Sequence, residues 1–220
     1  MLIKKFWRLY PQSSNRTEIS TRRKKISKKK RTDLQKFNKE YFDGCRDYGY
    51  GGYNYDKKFF RKIVSLMISH YKLKSNAKIL DIGCAKGFMM YEFKRLLPDS
   101  EVLGIDISKY CQKKALSNIK KNIHVGTCEK LPFASEYFDL VVSISTIHNC
   151  NYNGIKESLK EIVRVTKKNS FIRIKAYKTI IEKNFIDNWN LVAKSNLSEK
   201  EWFKLFKMTN YKKDYDFTKF

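Results

Sequence analysis

The sequence has few acidic residues and no long apolar run. Its 220 residues include 22 Asp and Glu against 47 Lys and Arg, a formal net charge of +25. It has no stretch of 18 or more apolar residues, so we expect no membrane-spanning helix. The opening residues MLIKKFWRLYPQSS lack the apolar core and small-residue cleavage site of a secretory signal, so we expect no such signal.

Paired cysteines are also missing. The five cysteines are widely spaced, with no CxxC pair: Cys45, Cys84, Cys111, Cys128 and Cys150. This spacing predicts neither a disulfide framework nor a metal site, and it is typical of reduced thiols. We therefore expect a cytoplasmic protein without a bound metal.

The positive charge is concentrated at the start of the chain. Residues 1–40 contain 14 Lys and Arg but only 3 Asp and Glu, a net charge of +11. We predict a basic, disordered arm over residues 1–36, a lid segment and amphipathic helix over 37–77, and the main domain over 78–220. The arm could bind nucleic acid or anionic lipid through its cations, or it could be a solvated tail that binds neither.

Apolar patterning predicts an α/β fold. Helical spacing indicates a helix over residues 57–71, and short apolar runs indicate strands over 78–82, 102–105, 123–125, 138–144 and 170–177, with a last extended segment over 215–220. Helices are predicted between them over 89–97, 108–120 and 155–165, and a further one over 198–208. This alternation predicts a Rossmann-like, mostly parallel sheet with helices on both faces, with room for a shortened C-terminal strand pair.

The turn after the first strand has the composition of a nucleoside site. Gly83 and Gly87 allow a tight turn and close backbone approach, and Asp106 ends the second strand, where a carboxylate can accept hydrogen bonds from ribose hydroxyls. The dinucleotide pattern GxGxxG and the P-loop pattern are both absent.

Four motifs resemble those of class I S-adenosylmethionine-dependent methyltransferases with a type-11-like core. They are KILDIGCAKG at 78–87, VLGIDIS at 102–108, GTCEKLPF at 126–133 and FDLVVSISTIHN at 138–149. The resemblance implies an S-adenosyl-L-methionine cofactor. It places the methionine moiety at Asp81, Gly83, Cys84, Ala85, Lys86 and Gly87, the ribose at Asp106, and the adenine at Ile107, Thr127, Cys128 and Glu129. Ala85 stands where the family often has glycine, and Thr127 where it often has an acid.

The fourth strand leads into the predicted acceptor site. Ser145 is expected in the wall of the cofactor pocket, and Thr146 and Asn149 in the walls for the acceptor. His148 is the best-placed candidate for a general base, which this reaction needs only if the acceptor atom carries a proton of high pKa. An alternative is that His148 only shapes the pocket.

The segment YGYGGYNY at 48–55 resembles an aromatic segment found in one bacterial subgroup of these enzymes. Glycines there allow a tight fold, and tyrosines can surround a sulfonium cation. We predict a lid, with Tyr53 and Tyr55 at the reaction centre and Tyr48 and Tyr50 against the acceptor; a surface turn packed on the sheet edge is the alternative. Tyr177, Asn184 and Trp189 are expected to complete the acceptor wall, and Trp202 to lie in the core.

The resemblance implies methyl transfer by in-line displacement to a small-molecule acceptor, such as a sugar, a carboxylate or a related metabolite, as in surface polysaccharide synthesis. An RNA methyltransferase that grips phosphates with the basic arm is the second hypothesis. A non-catalytic scaffold that binds the cofactor is the third.

Overall fold

The computed structural model describes residues 23–218 together with Glu18 and Thr21. Its α-helices are α1 (Lys28–Leu34), α2 (Lys39–Asp43), α3 (Lys57–Tyr71), α4 (Phe88–Leu96), α5 (Lys109–Lys113), α6 (Tyr152–Val165), α7 (Ile180–Trp189) and α8 (Glu199–Met208). Its strands are β1 (Lys78–Ile82), β2 (Glu101–Asp106), β3 (Ile123–Val125), β4 (Phe138–Ile144), β5 (Thr166–Lys175) and β6 (Asp214–Thr218). Short 3₁₀ turns cover Lys120–Asn122 and Ile147–Asn149.

The six strands form one parallel sheet in the order β3-β2-β1-β4-β5-β6. The predicted α/β class, a Rossmann-like sheet with helices on both faces, is confirmed. In the part of the chain that the structure describes, the last two strands are β5 and the five-residue β6, which pair in parallel. The order reverses between β1 and β4, so their carboxyl ends open a crevice in which ligands of such sheets bind.

Successive residues along the central strands face opposite layers of the core. Ile79, Leu140 and Phe171 belong to a buried cluster with residues of α3 and α4. Their neighbours Leu80, Val141 and Ile172 belong to a second cluster with residues of α6 and α8. Each central strand is therefore apolar throughout because both of its faces are covered.

Local sequence signals account for most of the helix starts. The Asp56 carboxylate accepts from the Phe59 N–H, and α3 begins there as predicted. Ser198 and Glu201 form a capping box at α8, and Trp202 within that helix is fully buried, as expected. The helix predicted over 108–120 is shorter: α5 ends at Lys113, and the chain then turns so that the buried Ile119 packs over Gly87.

The second half of the basic segment differs from the predicted disordered arm. α1 starts at Ser27, whose hydroxyl accepts from the Lys30 N–H, and its Leu34 packs against Leu191 and Val192. Leu34 is buried against these two residues, which follow α7, and this packing orders a segment that we predicted to be disordered from its composition. Most of the arm before Arg23 lies outside the described residues.

In the described part of the chain, none of the helices combines the length and apolarity needed to cross a bilayer.

Candidate functional site

A cavity opens at the carboxyl ends of β1, β2 and β4. We call it the first cavity, and its floor carries Asp81, Gly83, Cys84, Ala85, Ile105, Asp106, Ile107, Thr127, Cys128, Glu129, Ser145, Thr146 and Asn149. Its roof comes from the N-terminal segment, chiefly Gln35, Phe37, Tyr41, Phe42, Tyr50 and Tyr53. The motifs that we linked to a cofactor therefore meet in one place.

The turn after β1 requires glycine at its first position. Gly83 has φ +76°, and a Cβ there would lie 2.0 Å from Thr146 Oγ1. Gly87, with φ +73°, precedes α4. A Cβ at either position would collide with a packed side chain, Thr146 or Ile119, on a left-handed backbone, so both positions require glycine.

Asp106 is held rigidly at the end of β2. Its Oδ2 accepts from the Ala85 N–H at 2.8 Å, and its Oδ1 accepts from the Ser108 N–H at 2.8 Å. Burial raises the pKa of Asp106, although these two bonds oppose the shift. A carboxylate fixed in this way still has lone pairs that can accept from ribose hydroxyls.

Asp81 is the second carboxylate of the first cavity. It is 4% exposed, and burial together with the nearby Asp106 raises its pKa to about 7. Burial disfavours the ionised form of a carboxyl group, and a cation bound beside it favours that form. A bound cation would therefore return Asp81 to its ionised state and form an ion pair with it. The position suits the ammonium group of an amino acid moiety.

The opposite end of the first cavity has apolar and thiol walls. Ile107 is 56% exposed at the cavity mouth, whereas Cys128 and Cys150 lie side by side with their sulfurs 3.6 Å apart. Thr127 accepts from the Glu129 N–H at 3.2 Å. A flat apolar ligand such as adenine fits between Ile107 and the Cys128 side, where polar groups of this loop can meet its edge.

The roof folds back on itself. The Tyr50 N–H donates to the Tyr41 carbonyl and the Gly52 N–H to the Phe42 carbonyl, each at 3.0 Å. A Cβ at Gly49 would lie 1.9 Å from the Tyr41 oxygen, so glycine is needed at that crossing. Phe42 stacks on Tyr50, and Tyr53 stacks on Phe88 with centroids 5.1 Å apart. The tyrosine–glycine segment is thus an ordered aromatic cover over the cavity.

Lys86 ties this roof to the cofactor turn. Its ammonium donates to both oxygens of Asp43, at 2.8 and 2.7 Å, and to the Tyr53 carbonyl at 2.8 Å. Tyr110 also donates to Asp43, at 2.6 Å. The pKa of Asp43 is lowered because the bonds from Lys86 and Tyr110 outweigh its desolvation. Lys86 was predicted to contact the cofactor, but its side chain instead joins two parts of the protein.

A second cavity adjoins the first at the carboxyl ends of β5 and β6. Both share Tyr41, Tyr50, Ser145 and Asn149, and the second is further lined by Arg23, Arg46, Tyr48, Gly49, Arg173, Lys175, Trp189, Asn190, Leu191 and Thr218. Tyr48 and Trp189, which we expected against the acceptor, face this second cavity. Ser145 lies on the boundary and has φ +56°.

His148 differs from its predicted role as a base. It is 2% exposed and lies behind the cavities rather than in the wall of either. Neither ring nitrogen has a hydrogen-bond partner among the described residues. Burial, with Lys175 and Arg173 nearby, lowers its pKa well below the ordinary value. The arrangement agrees with the alternative that His148 shapes the pocket.

Tyr55 also lies outside both cavities. Its hydroxyl donates to the buried Glu92, and its ring packs against Phe60, Phe88 and Tyr91. Burial, and then Glu92, raise its pKa. Tyr55 therefore anchors the end of the roof to α4, whereas Tyr53 lines the first cavity.

Three more predicted residues do not reach the cavities. Gly87 serves the start of α4, Tyr177 forms a bridge with Ser198, and the Asn184 carbonyl accepts from Asn188 within α7. Five residues of the site were not predicted from the sequence: Arg23, Asp43, Arg46, Arg173 and Lys175. The acid in YFDG next to the glycine-rich segment was a usable signal for Asp43; the four cations were masked by the abundance of Lys and Arg.

Residues 80–174 match the family model described as "Methyltransferase domain". The sheet order, the glycine turn and the acid after β2 agree with this match, which identifies residues 80–174 as a methyltransferase domain. These findings support the enzyme class and the cofactor predicted from the four motifs. The likeness of residues 48–55 to one bacterial subgroup stays a prediction.

Two relatives and one solved structure illustrate the likeness. The chain is 32% identical over 133 residues to the uncharacterized protein MJ1252 of Methanocaldococcus jannaschii, covering 59% of this chain and 47% of that protein. It is 25% identical over 170 residues to the uncharacterized methyltransferase YcgJ of Bacillus subtilis, covering 69% and 64%. The crystal structure of YcgJ aligns with a TM-score of 0.55 at 23% identity over 66% of each chain, which shows a shared fold. The matches thus span less than two thirds of these relatives.

A third relative is named for an acceptor. It is the tRNA (carboxymethyluridine(34)-5-O)-methyltransferase of Arabidopsis thaliana, 32% identical over 107 residues, which are 46% of this chain and 24% of that protein.

The residues of the first cavity fit S-adenosylmethionine. Asp81 lacks a side-chain hydrogen bond from any described residue and has a raised pKa, as expected of a carboxylate placed for a cation. The backbone of the turn at 83–85 lines the cavity between Asp81 and Asp106, and Ile107 follows directly after Asp106. Asp81 would hold the ammonium group of the cofactor, and the glycine turn its carboxylate. Asp106 would hold the ribose, and the wall at Ile107 the adenine.

Proposed function

We propose that this protein transfers a methyl group from S-adenosylmethionine to a small molecule bound in the second cavity. The observation that carries the proposal is that the two cavities adjoin and share a boundary under the roof. Tyr41 and Tyr50 stand at that boundary on the roof side, and Ser145 and Asn149 on the sheet side. An acceptor in the second cavity would meet the cofactor there.

The chain's own residues would act mainly by holding and enclosing the reactants. The cofactor supplies an electrophilic methyl group on a sulfonium, whose departure needs no proton. Phe42, Tyr50 and Tyr53 offer aromatic faces to a cation beneath the roof. The roof would also exclude water, so positioning and desolvation of the reactants would supply most of the rate enhancement over the reaction in water.

No imidazole or carboxylate of the described chain stands at the shared boundary. The four residues there are Tyr41, Tyr50, Ser145 and Asn149, and Asn149 Oδ1 accepts from the Asn190 amide at 3.0 Å. Burial raises the pKa of Tyr41 to about 12, so its hydroxyl stays protonated at neutral pH. This supports an acceptor atom that carries no proton of high pKa, such as a carboxylate oxygen.

Enclosure also favours a small acceptor over RNA. Arg23 and Arg31, from the basic segment, donate to backbone carbonyls of the roof and of α7 rather than lining an open groove. The named activity of the Arabidopsis relative keeps RNA as the acceptor to test against. The five thiols, which form no disulfide, support a reducing compartment and hence the cytoplasm.

The test is methyl transfer from labelled S-adenosylmethionine to a metabolite library and, separately, to total RNA. We expect label in small molecules alone, and none from an Asp106→Ala variant. The control is Asp99→Asn, an exposed acid outside both cavities, which should keep full activity. Label entering RNA would replace the small-molecule proposal. Cofactor binding without label in either pool would support a scaffold.

A further inference from the structure

The second cavity is basic, whereas the first carries acids. Its lining contains four cations, Arg23, Arg46, Arg173 and Lys175, and no Asp or Glu of the described residues. We propose that it binds an anionic group of the methyl acceptor, a carboxylate or a phosphate. This inference rests on the proposed function and names the substrate class of that same site.

The cations converge from opposite sides of the cavity. Arg173 and Lys175 project from the last residues of β5, which form the floor, while Arg46 comes from the roof. Guanidinium and ammonium groups on facing walls can together surround the oxygens of one anion.

Arg23 holds the roof through hydrogen bonds and also lines the second cavity with its positive charge. Its guanidinium donates to the carbonyls of Asp47, Trp189, Arg46 and Gly49, at 3.0, 2.6, 2.9 and 2.8 Å. Neutral carbonyls satisfy its N–H groups without cancelling its charge. Burial and then Arg46 lower the pKa of Arg23 to about 10, whereas the nearby Tyr41 and Asp47 act in the opposite direction.

Arg173 is partly offset by an acid. Asp216 of β6 lies 3.4 Å from Arg173 Nε, and both side chains are about one tenth exposed. Lys175 at the end of β5 and Arg46 in the roof are less deeply buried than Arg173. They are therefore the residues to change, because altering a buried ion pair would also destabilise the fold.

The two cavities differ in charge on either side of their shared boundary. Asp81, Asp106 and Glu129 line the first cavity together with one cation, Lys194, and four cations line the second. An acceptor with its anion between Arg46 and Lys175 would present its remaining atoms toward Tyr50, Ser145 and Asn149. The charge pattern thus fixes the orientation as well as the class of the acceptor.

Inorganic phosphate is the probe for this site. Trp189 lines the cavity, with the Arg23 and Arg46 guanidinium carbons 5.0 and 5.7 Å from its ring centroid, so its fluorescence should report an anion there. The full-length protein, saturated with S-adenosylhomocysteine, is titrated with phosphate at constant ionic strength. Lys175→Gln and Arg46→Gln are compared with Lys204→Gln, which removes an exposed lysine of α8.

We expect a saturable response that weakens at least about tenfold in Lys175→Gln and Arg46→Gln and stays within about twofold in Lys204→Gln. Equal affinity in all variants, or no saturable response, would overturn the inference. If Lys175→Gln does not fold by circular dichroism, Arg46→Gln decides the result. Calorimetry with S-adenosylhomocysteine is done in parallel; failure there contradicts the proposed function instead.

A second arm separates the two sources of the anion. Labelled methyl transfer is measured with matched pairs, sugar phosphates against the parent sugars and carboxylic acids against their amides. We expect transfer only to the charged member, and in only one of the two comparisons, either the sugar phosphates or the carboxylic acids. With that acceptor, Lys175→Gln should increase KM and leave kcat little changed. Equal transfer to charged and neutral members would overturn the inference.

Discussion

The cofactor half and the acceptor half of the site are built in different ways. The cofactor half uses the ends of β1 and β2 and carries Asp81 and Asp106, whose positions lie 25 residues apart in the sequence. The acceptor half combines Arg23 and Arg46 with Lys175, from opposite ends of the chain. One half is acidic and local in sequence, and the other is basic and assembled only by the fold.

This difference separates the part of the site that any such nucleoside-binding fold would have from the part that would select the acceptor of this protein. The local half follows from the βαβ unit itself, because a glycine turn and an acid after the next strand recur wherever that unit binds a nucleoside. The basic half depends on how the N-terminal segment lies over α7 and β5. Variants should therefore affect the two halves separately.

The largest effect is expected from Gly83→Val in the cofactor half. A Cβ at this position would lie 2.0 Å from Thr146 Oγ1, on a backbone with φ +76°. Affinity for S-adenosylhomocysteine, measured by calorimetry, should fall at least about 100-fold. Gly52→Ala is the control, since φ is +105° but the nearest atom is 3.5 Å away. A similar loss of affinity in that control would show that crowding at Gly83 is not the cause.

In the basic half, Arg23→Met should loosen the roof. The variant loses four hydrogen bonds to carbonyls, so the free energy of unfolding in urea should fall by about 3 kcal/mol. Arg31→Met removes two bonds from a less buried guanidinium and should lower it by about 1 kcal/mol. Affinity for S-adenosylhomocysteine should change less than in Gly83→Val. Equal stability of the two variants would contradict the role of Arg23.

Asp81 should make the ligand-free protein less stable as pH rises. Its pKa is about 7 in the folded chain against 3.8 for the ordinary group, so the folded state binds the proton more tightly. Its stabilising contribution is complete below pH 3.8 and is lost as pH rises through about 7. Relative to Asp81→Asn, the wild type should lose as much as about 4 kcal/mol over this interval. Thermal unfolding of both proteins from pH 4 to 8 tests this; parallel curves would contradict it.

Tyr55→Phe should affect stability without affecting either half of the site. Removing the hydroxyl leaves the buried Glu92 with one donor fewer, which should cost about 1–2 kcal/mol in urea unfolding. Affinity for S-adenosylhomocysteine should stay within about twofold. Tyr53→Leu is the matched comparison, because Tyr53 lines the first cavity and its loss should weaken that affinity. Reduced affinity in Tyr55→Phe would instead support the predicted role of Tyr55 at the reaction centre.

The smallest effect is expected from His148→Asn on the pH dependence of kcat. His148 is buried behind both cavities, and its pKa is well below 6.5, so it does not change charge between pH 6 and 8. The profile over that range should keep its shape even if the rate falls. Loss of a titration step in the variant would restore the general-base role.

Local patterns predicted the parts of the fold whose contacts are local. The bounds of α3, β1, β3 and β4 match, since burial on both sheet faces leaves continuous apolar runs and Asp56 marks a helix start. The length of α5 was overestimated because a tertiary contact, Ile119 over Gly87, overrides its helical composition.

The candidate site follows the same division. Most residues predicted for the cofactor line the first cavity, because a strand, its turn and the next strand end specify one edge. Lys86 was assigned to the ligand but pairs with Asp43, which lies 43 positions earlier. Lys175 and Arg46 could not be selected among 47 Lys and Arg, since only the sheet order brings them together.

The Lys86–Asp43 ion pair has a consequence for the timing of turnover. Lys86 follows directly on the cofactor turn, and Asp43 ends α2 within the roof segment, with side chains 8% and 21% exposed. Opening of this pair would release the roof segment from the cofactor turn beneath it. If a bound nucleoside leaves by that route, the opening frequency of one ion pair would limit how fast the enzyme can start again.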